Sequence, residues 1–361
     1  MPTLHTVTED TKKTAKWGAL GLIGIIVLFF VVRIGVGLRE NFFPTPPPPP
    51  TVSFGKLPPL VFPKNAADKK LTYIVNTITG GLPILTATAS VYPIEKPQPN
   101  LLNLKRAQER AATVKFENQP EPLSDPWYVW SEQIPPFRKL ILNIVSSNFT
   151  ITSNFLNDPD SILINTNAPD AASSQTAAIS FLSKLITFPR DIDVTKTKTT
   201  LLAIENQQIV EASSPSTAHL VRVDFFQKNV DGLPIYYPRP PQSTMHLTLT
   251  GGRFNEQVVE ANFNHFNIEI TSATYPIKTA EEAFKKLQEG NGYIASYFGE
   301  ENTMSIKKVF LAYYLGSSPT NDKDIPQSYL MPIFVFEGEN GFFAYVSAIT
   351  DAWIETEHSQ K

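Results

Sequence analysis

The chain has 361 residues, no cysteine and a formal net charge of -3, and 42% of its residues are hydrophobic. The absence of cysteine excludes disulfides, a thiol nucleophile and thiolate metal sites. Residues 64–361 hold 25 basic and 31 acidic side chains, whereas a nucleic-acid-binding protein usually has a basic surplus that replaces counterions on phosphates. We therefore expect no nucleic-acid partner.

The stretch from Trp17 to Leu38, WGALGLIGIIVLFFVVRIGVGL, predicts a transmembrane helix (residues 17–38). It is 22 residues long and Arg33 is its only charged residue, and roughly 20 apolar residues in a helix cross the hydrocarbon core of a bilayer. Trp17 is typical of a membrane interface, and Arg33 lies where its long side chain can reach the other interface. The alternative is a signal peptide, but no small-residue cleavage site follows the apolar core.

Basic residues precede this span, at Lys12, Lys13 and Lys16. The positive-inside tendency then predicts a cytoplasmic tail (residues 1–16) and export of everything after the span. We expect a single-pass protein of the cell membrane with an extracytoplasmic body.

A proline-rich stalk follows at residues 39–63. Nine prolines occur between residues 41 and 63, and proline both fixes φ and removes the amide donor, which favours extended polyproline II over helix or central strand. We interpret the stalk as a spacer that lifts a domain from the membrane; a ligand for a proline-recognising domain is the alternative.

Residues 64–168 predict a first exported α+β domain. The segments KLTYIVNTI and ILTATASVYPI are rich in β-branched residues and are separated by the turn signal TGGLP, which predicts a hairpin. A helix is expected at about residues 101–114, and WYVWSE and RKLILNIVSSNFTITSNF predict further strands.

Residues 169–357 predict a second exported α+β region. A helix is expected at 171–187, capped by Asp170. Another helix lies within YPIKTAEEAFKKLQEGNGYI, where Thr279 and Glu282 form a capping box and Gly290 supplies a left-handed stop.

The last part of this region predicts a hairpin in SYLMPIFVFEGENGFFAYVSAI, which turns at 337–341. Apolar strands need a cover on at least one face. The predicted fold class is therefore α+β, with antiparallel sheets that are each covered by short helices.

No motif in the sequence predicts catalysis. His219, His246 and His265 fall in predicted strands without the close spacing of zinc ligands, and no nucleophile elbow, Walker loop, dinucleotide-binding turn or calcium loop occurs. We expect no catalytic residue, no cofactor and no metal, although carboxylates or serines that folding brings together leave a hydrolase open.

Two regions carry a family resemblance. The segments YPIKTAEEAFKKLQEGNGYI, VFLAYYL and YLMPIFVFEGENGFFAYVSAI resemble the last domain of the YycH/YycI-type membrane-anchored regulators of bacterial cell-wall sensor kinases. VRVDFFQKNVDGLPIYY with MHLTLTGGRF is similar to strand-and-turn runs of PepSY domains. The resemblance covers about residues 220–354. It implies PepSY-like units, a single N-terminal span and regulation by contact with another membrane protein, and it supplies no catalytic residue.

Together these observations favour a membrane-tethered binding or regulatory module that contacts an integral membrane protein, such as a sensor kinase, or an envelope protein. The alternatives are a stalked cell-envelope hydrolase or peptidase and a structural or adhesive envelope component. The contact surface is expected among aromatic side chains, which are enriched at binding hot spots; packing of the same side chains in the sheet core is the alternative. These residues are Tyr313, Tyr314, Tyr329, Phe342 and Tyr345.

Overall fold

The computed structural model describes the chain in eight stretches. They are residues 17–18, 21–33, 49–67, 69–134, 137–157, 168–251, 257–317 and 327–355. The predicted cytoplasmic tail and the first part of the predicted stalk, residues 39–48, lie outside these residues. The chain divides into two compact units, Met1–Pro49 and Pro50–Lys361.

The described part of the first unit is helical, at residues 17–18 and 21–33 (α1 denotes 21–33). Among the residues that the structure describes, no helix has both the length and the hydropathy needed to cross a membrane. The predicted transmembrane helix therefore stays a prediction, and its residues 19–20 and 34–38 lie outside the described stretches.

The second unit is an α+β fold with two large sheets, which confirms the predicted fold class at this level. Its helices are α2 (Asn103–Thr113), α3 (Ala171–Leu185) and α4 (Ala280–Gln288). Its first strands are β1 (Thr72–Val75), β2 (Thr88–Pro93), β3 (Glu121–Ser124), β4 (Trp127–Ser131), β5 (Lys139–Asn143), β6 (Phe149–Thr152), β7 (Lys198–Glu205) and β8 (Gln208–Glu211). The remaining strands are β9 (Leu220–Phe225), β10 (Ile235–Tyr236), β11 (Met245–Thr250), β12 (Gln257–Phe263), β13 (Ala273–Pro276), β14 (Tyr293–Ser296), β15 (Thr303–Tyr314), β16 (Tyr329–Gly338) and β17 (Phe343–Ser347).

The nine-stranded sheet has the order β3-β4-β5-β6-β12-β11-β9-β7-β8. The eight-stranded sheet has the central order β1-β15-β16-β17-β14, with β2, β10 and β13 attached to it. Both sheets draw strands from both predicted regions, since β1 and β2 pair with late strands and β6 pairs with β12. The boundary predicted between residues 168 and 169 therefore does not separate two domains.

The predicted hairpin of β1 and β2 is wrong. β1 pairs in parallel with β15, and β2 pairs antiparallel with β13 and β16. The turn signal itself is correct, because the amide of Gly80 donates to the carbonyl of Thr77 and Gly80 has a φ of +73°. Long strands such as β15 and β16 offer more apolar surface and more backbone partners than two short strands offer each other, which favours these pairings over the local hairpin.

The three predicted helices of the folded body form where the sequence places them. Asp170 accepts hydrogen bonds from the amides of Ala172 and Ser173 at the start of α3. Thr279 and Glu282 form the predicted capping box of α4, and Gly290 has the predicted positive φ, +84°. The hairpin between β16 and β17 is also confirmed.

The helices cover one face of each sheet. α2 and α3 pack on the nine-stranded sheet in a core that also contains Tyr313 and Leu330 of the other sheet. α4 packs on one face of the eight-stranded sheet. The opposite face of that sheet holds an aromatic cluster that includes Tyr314 and Tyr345.

An extended segment, residues 50–67, which we call the strap, packs in part on this second face and in part in the core that contains α4. The ring of Phe62 stacks on that of Tyr293 at a centroid distance of 5.1 Å. The amide of Ala66 donates to the carbonyl of Ile294 over 2.8 Å. Residues 50–63 of the predicted stalk therefore belong to the folded body and are not a free spacer.

Candidate functional site

The aromatic residues predicted as a contact surface lie mainly in the core. Tyr313, Tyr314 and Tyr345 are 0% exposed and Phe342 is 1% exposed, while Tyr329 is partly buried. The reason is that both faces of their sheet are covered, so that alternate residues of a strand are buried on opposite sides. The structure thus corrects the proposed surface and favours the alternative of sheet packing.

The histidines and the predicted anchor residues do not form a site either. His219, His246 and His265 lie on different strands or loops, and the described residues include no group of three side chains that could hold a metal ion. Trp17 and Arg33 are exposed at the described ends of the first helical unit.

A different candidate site is formed by a crossover segment, residues 226–243, which leaves the nine-stranded sheet after β9 and returns to it at β11. Between these strands the segment crosses to the eight-stranded sheet, where β10 pairs in parallel with the end of β15. Prolines at 234, 238, 240 and 241 remove amide donors from this segment. The carbonyl groups at and beside these prolines accept hydrogen bonds that hold the segment.

Four links of this kind hold the middle of the crossover segment, residues 234–238. The carbonyls of Pro234 and Tyr236 accept from the amides of Tyr313 and Leu315, over 2.8 and 3.0 Å. The hydroxyl groups of Tyr345 and Tyr293 donate to the carbonyls of Tyr237 and Pro238, over 3.1 and 2.8 Å. Two of the buried tyrosines thus position the segment.

A cleft of about 340 Å³ opens beside the crossover segment. Its wall combines aromatic, proline and amide side chains with two lysines, and none of the described residues that line it is a carboxylate. The lining residues are Lys196, Lys198, Phe226, Gln227, Asn229, Pro234, Ile235, Tyr236, Tyr237, Pro240, Pro241, Gln242 and Phe343. This volume lies within the size range of small-ligand sites, which are typically apolar with a few polar groups.

Gln227 is the buried polar residue of this wall, with 3% of its surface exposed. Its Nε2 donates to Asp191 Oδ2 over 2.7 Å and to the carbonyl of Phe266 over 3.0 Å. Because both partners are acceptors, the amide cannot be flipped without losing both bonds. Its Oε1 is left buried, with no hydrogen-bond partner among the described residues.

Asp191 connects the cleft wall to a histidine. His265 Nε2 lies 2.8 Å from Asp191 Oδ1, and the amide of His265 donates to Asn148 Oδ1 over 3.0 Å. Burial raises the pKa of the Asp191 carboxyl, but the hydrogen bonds from His265 and Gln227 and the charge of His265 outweigh it, so that the net pKa is lowered. Asp191 is therefore ionised at neutral pH and acts as an acceptor only.

The rim of the cleft carries positive charge. Lys196 Nζ lies 3.0 Å from Asn229 Oδ1 and 3.6 Å from Asp193 Oδ2, and its side chain is 53% exposed. Lys198 forms no ion pair within the described stretches; Asp224, opposite it in the strand register, is instead bound through two oxygens by Arg222. The cleft is thus cationic although residues 64–361 carry net negative charge.

The tyrosines of the wall are protonated at neutral pH. Burial, together with the charge of Glu337, raises the pKa of Tyr236 to about 12. Burial also raises the pKa of Tyr237, whose hydroxyl oxygen accepts from the amide of Gln227 over 3.2 Å. Neither hydroxyl is therefore a ready nucleophile, and the wall offers binding groups without an acid-base pair.

Sequence reasoning identified the strands around this cleft but not the cleft itself. The signal was present in PIYYPRPPQ, a run of proline and aromatic residues, and in TKTKTT, which supplies both lysines. Their proximity depends on the crossover between the sheets, and no local pattern shows that. The chain matches no protein-family model, no curated protein and no solved structure in our comparisons, so the YycH/YycI resemblance stays a prediction.

Proposed function

We propose that this chain is a membrane-tethered, extracytoplasmic binding module that acts by contact with another membrane or envelope protein. The observation that carries the proposal is the cleft beside the crossover segment, whose wall is built for binding. The apolar segment at 17–38, the prolines after it and the resemblance to YycH/YycI-type regulators support the tether and the regulatory role.

The chemistry of the cleft favours binding over catalysis. Within the part of the chain that the structure describes, its lining includes no carboxylate, histidine or serine, while hydrolysis generally needs a positioned base and a nucleophile or activated water. Aromatic and proline walls instead offer rigid apolar area at low entropic cost, which is typical of recognition surfaces.

A photo-crosslinker tests this proposal in the full-length protein in its native membrane. p-Benzoylphenylalanine placed at Gln242, an exposed residue of the cleft, should form an adduct with one integral membrane or envelope protein in a fixed ratio. The same group at Gln288, an exposed residue of α4, is the matched control and should form no such adduct.

Deletion of residues 39–48 separates the role of the stalk from that of the cleft. We expect the shortened protein to fold but to lose the adduct, because the cleft no longer reaches its partner. Adducts only with envelope polymer, or only with further copies of this chain, would contradict the proposal and favour an adhesive component.

The pair of Asp191 and His265 is the observation that favours a hydrolase as a second candidate. A carboxylate that orients a histidine is two thirds of a catalytic triad, but no hydroxyl group among the described residues forms a hydrogen bond to the ring of His265. A hydrolase predicts turnover of envelope peptides or esters by the full-length protein and loss of this turnover in His265→Gln. If the protein shows no turnover and p-benzoylphenylalanine at Gln242 still forms the adduct, the hydrolase is contradicted and the binding module is supported.

A further inference from the structure

We propose that the cleft binds the C-terminal end of a polypeptide: the terminal carboxylate pairs with Lys196 and Lys198, and the last side chain packs on the aromatic wall. This inference rests on the proposed function and specifies what part of the partner enters the cleft.

The two lysines of the cleft favour an anionic ligand. Lys198 has no carboxylate partner within the described part of the chain, and the ion pair of Lys196 with Asp193 is long, at 3.6 Å, and exposed to solvent. A ligand carboxylate between them gains charge-assisted hydrogen bonds, which are stronger than neutral ones. Capture of a chain-terminal carboxylate is a recurring mode of peptide recognition.

The apolar wall favours a large side chain next to the carboxylate. Phe226, Tyr236 and Phe343 are only partly buried although their neighbours fill the sheet cores, and each can gain contact from a ligand ring or branched chain. The end of a polypeptide carries a carboxylate and a side chain on one residue, and so it satisfies both features together.

The volume also favours a chain end. About 340 Å³ accommodates a small ligand and is too little for a folded surface. An N-acylated amino acid shares the same chemistry as a chain end, and the experiment therefore has to distinguish the two sources.

The probe is a peptide of sequence Gly-Ser-Gly-Ala-Phe labelled with fluorescein at its N-terminus, prepared both as the free acid and as the C-terminal amide. Fluorescence anisotropy is measured with the full-length protein in lipid nanodiscs. The acid should bind roughly tenfold to a hundredfold more tightly than the amide, because only the acid can form the charge-assisted bonds. Equal affinity of the two forms, or no binding of either at millimolar protein, would overturn the inference.

Lys198→Glu should abolish the preference for the acid, whereas Lys139→Glu should leave it unchanged. Both are exposed strand lysines, and β5 lies five strands from β7 in the sheet order, which is roughly 24 Å away at the usual strand spacing. An equal loss in both variants would point to general electrostatics and would contradict the proposed site.

Competition distinguishes the two ligand sources. If unlabelled N-acetylphenylalanine displaces the peptide as effectively as the unlabelled pentapeptide does, the cleft recognises a small acid and the inference of a polypeptide end fails. If Gln242 still crosslinks to a membrane or envelope protein while acid and amide bind alike, the proposed function stands and only this inference falls. If the peptide acid binds selectively but Gln242 forms no adduct, the carboxylate site is supported and the proposed contact with a membrane or envelope protein is contradicted.

Discussion

Leu57 and Ile354, which are 297 positions apart in the sequence, form a parallel β-bridge. The amide of Leu57 donates to the carbonyl of Trp353 and the amide of Glu355 donates to the carbonyl of Leu57, each over 2.8 Å. The Leu57 side chain is fully buried. The strap is therefore held by the last described residues of the chain, so that its attachment depends on both ends of the folded body.

Leu57→Ala should lower the free energy of unfolding by about 2–5 kcal/mol, the usual cost of a cavity left by a buried leucine. Val61→Ala is the matched control in the same strap, because Val61 is 73% exposed, and it should change stability by less than about 0.5 kcal/mol. Urea denaturation followed by circular dichroism measures both. If both variants lose the same free energy of unfolding, burial of the Leu57 side chain does not contribute to holding the strap on the folded body.

The hairpin between β16 and β17 leads to a prediction about glycine. A Cβ atom added at Gly338 would lie 2.9 Å from the carbonyl oxygen of Ser305 and 3.0 Å from Cδ1 of Phe342. Since the first contact is with backbone, Gly338→Ala should destabilise the protein by about 1–3 kcal/mol.

Gly81→Ala is the control for this prediction. Gly81 has open space around its Cα and no positive φ, so the alanine should be neutral or slightly stabilising, by reducing the entropy of the unfolded chain. Thermal melts of both variants test the pair. A Gly338→Ala protein as stable as the Gly81→Ala protein would mean that β15 moves away without cost.

Local signals in the sequence predicted the local structure. The capping box at Thr279 and Glu282, the cap at Asp170 and the hairpin turn near Gly338 depend on residues three or four positions apart, and each is found as expected. Such features are readable because the backbone groups at helix ends and turns need partners close in sequence.

Pairings between distant segments were not predictable in the same way. β1 pairs with β15 more than 200 residues later, and the cleft depends on a crossover between two sheets. Both outcomes are decided by which apolar faces bury each other, and many pairings satisfy the same alternation of residues. The burial of Tyr314 and Tyr345 follows from the same cause: Phe62 of the strap, which was interpreted as a spacer, packs on Tyr314, and Tyr236 of the crossover segment packs on Tyr345.

Arg138 and Glu132 form a buried ion pair. Removing only one of the two charges should destabilise the folded protein. Arg138 Nε donates to Glu132 Oε2 over 2.8 Å, and the guanidinium also donates to the carbonyls of Val114 and Val258. The Arg138 side chain is only 3% exposed. Glu132→Gln leaves this charge without a counterion and should lower the free energy of unfolding by about 3–5 kcal/mol.

An exposed pair provides the control for that prediction. Lys308 and Glu337 lie 3.1 Å apart with side chains 61% and 29% exposed, and Glu337→Gln should cost no more than about 1 kcal/mol. The double variant of Glu132→Leu with Arg138→Met should recover part of the loss seen in Glu132→Gln, because it removes both charges together. Denaturant melts that rank the variants in another order would contradict the buried-charge explanation.

His246 should make the stability of the protein depend on pH below neutrality. Burial and, to a lesser extent, the charge of Arg222 lower the pKa of His246 to about 4, with Asp224 opposing them. In the unfolded chain the same group titrates near its usual value of about 6.5. Between these two values the unfolded state binds more protons than the folded state, so the free energy of unfolding falls as the pH is lowered through this window.

The loss should reach about 3 kcal/mol at pH 4, since one pKa unit corresponds to about 1.4 kcal/mol, and it should level off below that pH. Other groups also titrate in this range, and the difference between the wild type and His246→Gln isolates this contribution. Urea melts of both proteins at several pH values between 7 and 4 should show that the free energy of unfolding of the wild type, minus that of the variant, falls by about 3 kcal/mol over this range, because glutamine has no proton to take up. Parallel curves would show that folding does not lower the pKa of His246, and the pair of Arg222 and Asp224 would then have to accommodate a second cation beside it as the pH falls.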